Sequence, residues 1–107
     1  MTYVAINRFA VLSGNDDEVQ AAARALFESR RPLLGGDLHS MQFVRSSDAK
    51  EYALISVWAS AEADARHEND AAEQQAATRV GPIVVGAPSV FSGNVVAQLT
   101  APAAPES

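Results

Sequence analysis

The sequence predicts an α+β fold of element order β-α-β-β-α-β, the ferredoxin-like arrangement. Three observations predict it. Strand-like apolar runs recur at 2–12, 38–45, 51–59 and 89–99. An apolar stripe at helical spacing runs through Val19, Ala22, Ala23, Leu26 and Phe27. A second helical stretch, 61–79, separates the last two strands. In this topology the first and third strands are neighbours in the middle of an antiparallel sheet, and both helices cover one of its faces.

Each element has its own signals. In the first strand Tyr3, Ala5, Asn7, Phe9 and Val11 share one face, and Val4, Ile6, Arg8, Ala10 and Leu12 the other. Ser13-Gly14-Asn15-Asp16 is a turn, with Asn15 or Asp16 placed to cap the first helix. The acids Asp16, Asp17 and Glu18 suit the positive end of its dipole and read as a helix start. Pro32 and Gly35-Gly36 stop that helix. Ser46 to Lys50 is a hairpin loop between the second and third strands. The third strand sets Tyr52, Leu54, Ser56 and Trp58 against Ala53, Ile55 and Val57. Ser60 caps the second helical stretch. Asp70-Ala-Ala-Glu73 resembles a capping pair, which allows two short helices broken near Asn69. Gly81-Pro82 and Gly86-Ala87-Pro88 read as a connection. The domain spans 1–99, and the Ala- and Pro-rich segment 100–107 is expected to be a disordered tail.

Two features of this pattern point toward function. The central strands are apolar on both faces, while helices can cover only one. A second copy of the chain, packed sheet against sheet, is the simplest cover, so a homodimer is expected. Every apolar residue of 61–79 is alanine, which favours helix and fills little volume. A helix of this kind over a sheet leaves room for a small apolar ligand.

Asn7 and Trp58 stand out within the central strands. Asparagine is depleted from strand interiors, because its amide is costly to bury without a partner. Trp58 carries a large apolar body with one N–H donor. On neighbouring strands the two are expected to lie side by side and to converge on one hollow. Phe9, Phe43 and Phe91 are core residues, any of which could line a pocket, and His67 is the nearest imidazole.

Composition limits the alternatives. The chain has 107 residues, 48% of them apolar and 20% charged, enough for one real core. Its net charge of -5 argues against nucleic acid or an anionic membrane as partner. It contains no cysteine, which excludes thiolate chemistry and Cys-ligated zinc. No N-terminal basic-then-apolar signal and no membrane-length apolar run is present, so a cytoplasmic location is the default expectation. No phosphate loop, His-Glu metal motif or Ser-His-Asp spacing is found.

With these residues in view, the chain resembles the antibiotic biosynthesis monooxygenase superfamily. The likeness is carried by Ile6-Asn7-Arg8-Phe9, the helix after it, the strand Ile55-Ser-Val-Trp58 with Ser60 and Glu62, and the late Gly- and Pro-rich connection. It spans roughly residues 3 to 99 and implies a dimeric α+β barrel. Two branches of the superfamily share an asparagine at the place of Asn7. The cofactor-independent anthrone oxygenases also match Trp58. The heme-degrading monooxygenases add a second tryptophan, where this chain has His67, and an iron-ligating histidine, where it has Ala76-Ala77. The resemblance therefore implies a cofactor-independent monooxygenase that oxidises an anthrone-like polycyclic phenol to a quinone with dioxygen. In that role Asn7 and Trp58 would be catalytic, and Phe9, Phe43 and His67 would bind substrate, with no metal. Heme binding is the alternative, and a non-catalytic small-molecule-binding dimer a third reading.

Overall fold

Period-two alternation gives the first strand two different sides, and the helices pack against the side that carries Tyr3, Ala5, Asn7 and Phe9. The computed structural model describes residues 1–101. Its elements are β1 (Tyr3–Val11), α1 (Asp16–Arg30), β2 (Leu38–Arg45), β3 (Glu51–Trp58), α2 (Ala61–His67), α3 (Ala71–Val80) and β4 (Val84–Asn94). Short 3-10 turns follow α1 at Arg31–Leu33 and α3 at Gly81–Ile83, each with proline at its start, where a missing N–H costs nothing. The strands form one antiparallel sheet in the order β2-β3-β1-β4. The ferredoxin-like α+β fold expected from the sequence is the fold observed.

The second helical stretch is broken where the capping pair lies. Asn69 takes a left-handed φ of 58°, a conformation asparagine tolerates better than most side chains. Asp70 then accepts from the Glu73 backbone N–H at 3.0 Å, as Ser60 does from Ala63 at 3.1 Å. Among the described residues, no helix is long and apolar enough to cross a membrane.

Two local expectations are corrected. The last strand begins at Val84 rather than 89 and ends at Asn94 rather than 99. The residues Gly86-Ala87-Pro88 are a bulge inside that strand. Arg8 pairs with Ser89 and Ala10 with Val85, so three residues of β4 stand against Phe9 alone. Gly86 supplies the required φ of 74°, and an edge strand tolerates Pro88. Of the expected tail, residues 102–107 lie outside the described residues.

The acidic start of α1 is also more than a helix start. Asn15 occupies the cap position, but its side chain turns back to the Leu12 carbonyl at 3.0 Å. Asp16 instead ties α1 to the sheet. It accepts from the Tyr52 hydroxyl, from Arg45 at 2.9 Å and from Gln20 at 2.7 Å. The Tyr52 hydroxyl is the main cause holding the Asp16 carboxyl below its usual range, against a smaller upward push from desolvation. Burial, with Asp16 beside it, pushes the Tyr52 phenol up to about 12.

The sheet face away from the helices is open and carries an apolar strip beside the exposed Arg8–Glu51 ion pair. The register brings Ile6 between Ile55 and Phe91, with Val4 beside Val57. Phe91 is 72% exposed there.

A depressed carboxyl contributes stability above its ordinary pKa of 3.8, and that stability is lost as pH falls through the lower folded value. Tyr52→Phe removes the main cause of the depression. The urea midpoint of this variant is expected to be lower than wild type at neutral pH and to fall less steeply below pH 3.8. Parallel curves for the two proteins would contradict the assignment.

Candidate functional site

A cavity of about 270 Å³ lies between the sheet and the pair α1–α3. Its floor is Asn7 and Phe9 of β1, Phe43 of β2, Leu54 of β3, and Val84 and Pro88 of β4. Val19, Ala22, Ala23 and Leu26 of α1 form one wall. Glu73, Ala76, Ala77, Val80 and Gly81 close the other side. The hollow is where the alanine-only stretch leaves it. On α3 the positions 73, 76, 77 and 80 follow helical spacing, so one stripe faces the cavity, and two of its four side chains are methyl groups. Phe9 and Phe43 make an aromatic end with Tyr52 behind them. Phe43 and Tyr52 stack at 5.3 Å between centroids with 12° between planes, and Phe9 stacks on Tyr52 at 5.8 Å.

Asn7 and Glu73 bring the polar side chains of this lining. Asn7 opposes Leu54 on one side and Val90 on the other, half-buried in the floor. The capping pair concealed Glu73. Its Oε2 does accept from the Asn69 backbone N–H at 3.2 Å, close to the capping role read from the sequence. The same oxygen also meets Arg30 Nη2 at 3.4 Å. Burial pushes the Glu73 carboxyl above its usual range; the Asn69 N–H and Arg30 oppose this, and Asp70 and Asp64 reinforce it. The stripe Glu73, Ala76, Ala77, Val80 was the available signal, since a carboxylate on the apolar side of a helix is anomalous.

The expected convergence of amide and indole is corrected. Asn7 and Trp58 share a face on adjacent strands, but Trp58 opposes Tyr3, four residues from Asn7 along β1. Trp58 is not among the residues that line the cavity. It is 4% exposed and packs with Ala5, Leu38 and Ala63 beneath α2. His67 stacks on its indole at 5.5 Å and 9°, and the Arg30 guanidinium lies 5.6 Å from the ring centroid. His67 Nε2 is 3.1 Å from Asp37 Oδ2, and Nδ1 is 3.7 Å from Asp70 Oδ2. Both residues expected at the site therefore belong to a neighbouring cluster that anchors the α2–α3 break. Phe9 and Phe43 do reach the cavity, with Asn7. His39 is exposed on the edge strand β2.

The family model for antibiotic biosynthesis monooxygenases matches residues 2–79. The chain belongs to the antibiotic biosynthesis monooxygenase family. The resemblance carried by Ile6–Phe9 and Ile55–Trp58 is thereby shown. Among solved structures, Rv0793 from Mycobacterium tuberculosis is similar, with a TM-score of 0.80 at 17% identity over 94% of this chain and 100% of that one. An antibiotic biosynthesis monooxygenase so described from Nitrosomonas europaea aligns with a TM-score of 0.79 at 16% identity, over 89% of this chain and 90% of its own. A single-residue mutant of SnoaB, a cofactor-independent oxygenase from Streptomyces nogalater, aligns at 0.71 and 20% identity, over 92% of this chain and 96% of its own. At these identities the likeness shows the fold alone. Among curated proteins, none matches the chain at a significant level.

The cavity lining does not offer the iron ligand that the alternative heme reading would need. Ala76 and Ala77, where the iron-ligating histidine would stand, do face the cavity but offer only methyl groups. The lining contains no histidine, cysteine, methionine or tyrosine. His67 is turned to Asp37 and stacked on Trp58. Among the described residues, no group of three or more His, Asp or Glu side chains is placed to hold a metal ion.

The placement of Trp58 generates a test. Its Nε1 is buried with no hydrogen-bond partner among the described residues, an arrangement that costs roughly 1–3 kcal/mol. Trp58→Phe removes this donor and a modest volume, so its net destabilisation is expected to be about 1 kcal/mol or less, well under the 3–5 kcal/mol range of a large core truncation. A loss of about 3–5 kcal/mol in a urea melt would contradict this placement.

Proposed function

We propose that this chain is a cofactor-independent monooxygenase that binds an anthrone-like polycyclic phenol in the cavity and converts it to a quinone with dioxygen. The observation that carries the reading is the Asn7 amide, set in the floor of an otherwise almost wholly apolar hollow between the sheet and the alanine-faced α3. The cavity volume is near the lower end of ligand pockets, about 300 Å³, and suits a flat, mostly apolar molecule with one polar edge.

The chemistry asks for three things. Ground-state dioxygen is a triplet and does not react with a singlet organic molecule in a concerted two-electron step. An electron-rich enolate or phenolate passes it one electron instead, and the radical pair recombines to a peroxide that loses water to form the quinone. The protein must favour the anion, hold it flat and keep bulk water away. In this reading the Asn7 side-chain N–H donates to the substrate oxygen on which negative charge develops. Phe9 and Phe43 stack against the ring system, and the alanines of α3 admit its width. Trp58 and His67 hold the supporting cluster rather than the substrate.

The open sheet face supports a homodimer in the same reading. Val4, Ile6, Ile55, Val57 and Phe91 form an apolar surface on the side without helices, and a second copy of that surface is self-complementary. Closing the two sheets face to face makes the α+β barrel.

Asn7→Ala is expected to lower kcat for oxygen uptake with dithranol by roughly 10²-fold, with an unchanged melting transition. Turnover equal to wild type would remove the amide from the mechanism. A non-catalytic binding protein would bind dithranol and consume no oxygen. For assembly, light scattering at micromolar concentration is expected to give twice the chain mass. Ile6→Lys, which puts a charge in the apolar face, is expected to give the monomer. A monomeric wild type would contradict the dimer.

A further inference from the structure

We propose that Glu73 is the proton acceptor of this site, taking the acidic C–H or phenolic O–H proton of a substrate whose oxygen lies on the Asn7 amide. The inference rests on the oxygenase reading and deepens it, because asparagine cannot act as a base and His67 is turned away from the cavity.

Position carries the argument. Glu73 is the one titratable side chain of the lining, on the same helical stripe as Ala76, Ala77 and Val80. The stripe sets this carboxyl, 39% exposed, beside the apolar side chains that line the cavity from α1 and from the sheet. Its two polar contacts, from the Asn69 N–H and Arg30 Nη2, both fall on Oε2. The other oxygen is left out of both contacts. The charges that face Glu73 are Arg30 from α1, Asp64 from α2 and Asp70 at the α3 cap. The desolvation they act within raises the carboxyl above its usual range, which makes it a better base than a surface glutamate. A base tuned toward the operating pH typically contributes about 10²–10⁴-fold.

The steps balance. The C–H bond breaks, its electron pair stays on the substrate as the enolate, and the proton goes to Glu73. The enolate gives one electron to dioxygen, and the two radicals combine to form the C–O bond of a peroxide anion. Glu73 returns its proton to the terminal oxygen. Loss of the second C–H proton, with cleavage of the O–O bond, leaves the carbonyl and releases water. One methylene and one dioxygen thus become one ketone and one water.

The test is the pH dependence of oxygen uptake with dithranol, for the full chain and for Glu73→Gln. Glutamine keeps the shape and an acceptor for Asn69, but is no base. Wild-type kcat/KM is expected to rise through an acid limb whose midpoint lies above the ordinary glutamate value of 4.5. Glu73→Gln is expected to lose at least about 10²-fold in kcat and to lose that limb. With a phenol acidic enough to be ionised at the assay pH, Glu73→Gln is expected to recover most of the wild-type rate, whereas Asn7→Ala is not. If Glu73→Gln fails to fold, the wild-type profile still decides, and a flat profile from pH 4 to 8 overturns the proposal. Full activity in a folded Glu73→Gln also overturns it and leaves the oxygenase reading standing. No oxygen uptake by wild type with any such phenol overturns both.

Discussion

The arrangement depends on one buried cation. Arg30, in the last turn of α1, is 4% exposed. A charge so placed is tolerable only when it is surrounded by acceptors. It reaches Asp70, the Glu73 carboxylate at 3.4 Å and the His67 carbonyl at 3.1 Å, and its Cζ lies over the Trp58 ring at 5.6 Å. All three acceptors belong to the break between α2 and α3. Satisfying Arg30 therefore fixes the path of the chain at that break. Asp70 shows the balance. Burial raises its carboxyl, but the Glu73 N–H and Arg30 outweigh this and hold it below its usual range.

This anchoring matters because α3 packs mainly on α1 and through small side chains. None of its residues is buried, and its apolar contacts with α1 and the sheet are mostly methyl groups. A helix held by packing would have filled the space above the sheet. A helix pinned at its first turn by Arg30, and near its last by the Arg79–Glu18 ion pair, stands over that space instead. Packing energy that larger side chains would supply is forgone, as is common where a fold keeps room for a ligand. The same pinned turn carries Glu73, which lines the hollow together with Asn7 of the floor.

Local features of this architecture were legible in the sequence, and those that depend on register or distant charge were not. Strands β1 to β3 and the break at Asn69 follow from alternation and capping residues, which act over a few positions. The start of β4 did not, because Gly86 and Pro88 signal a turn equally well when they form a bulge on a sheet edge. The separation of Asn7 from Trp58 required the register. Same-face positions on adjacent strands differ by four residues here, roughly 13 Å at a strand rise near 3.3 Å per residue. Glu73 was hidden because its capping role is real and accounts for its residue type. Arg30 gave no signal at all, since a basic residue in the last turn of a helix is ordinary.

The central claim is that the hollow between β1 and α3 is a substrate site. The most direct measurement is a crystal structure of the full chain soaked with dithranol. Density for the planar ligand is expected between Phe9, Leu26 and Ala76, with one oxygen within hydrogen-bonding distance of the Asn7 amide. Ligand density on the open sheet face or beside His39, or a hollow closed by its own side chains, would contradict it.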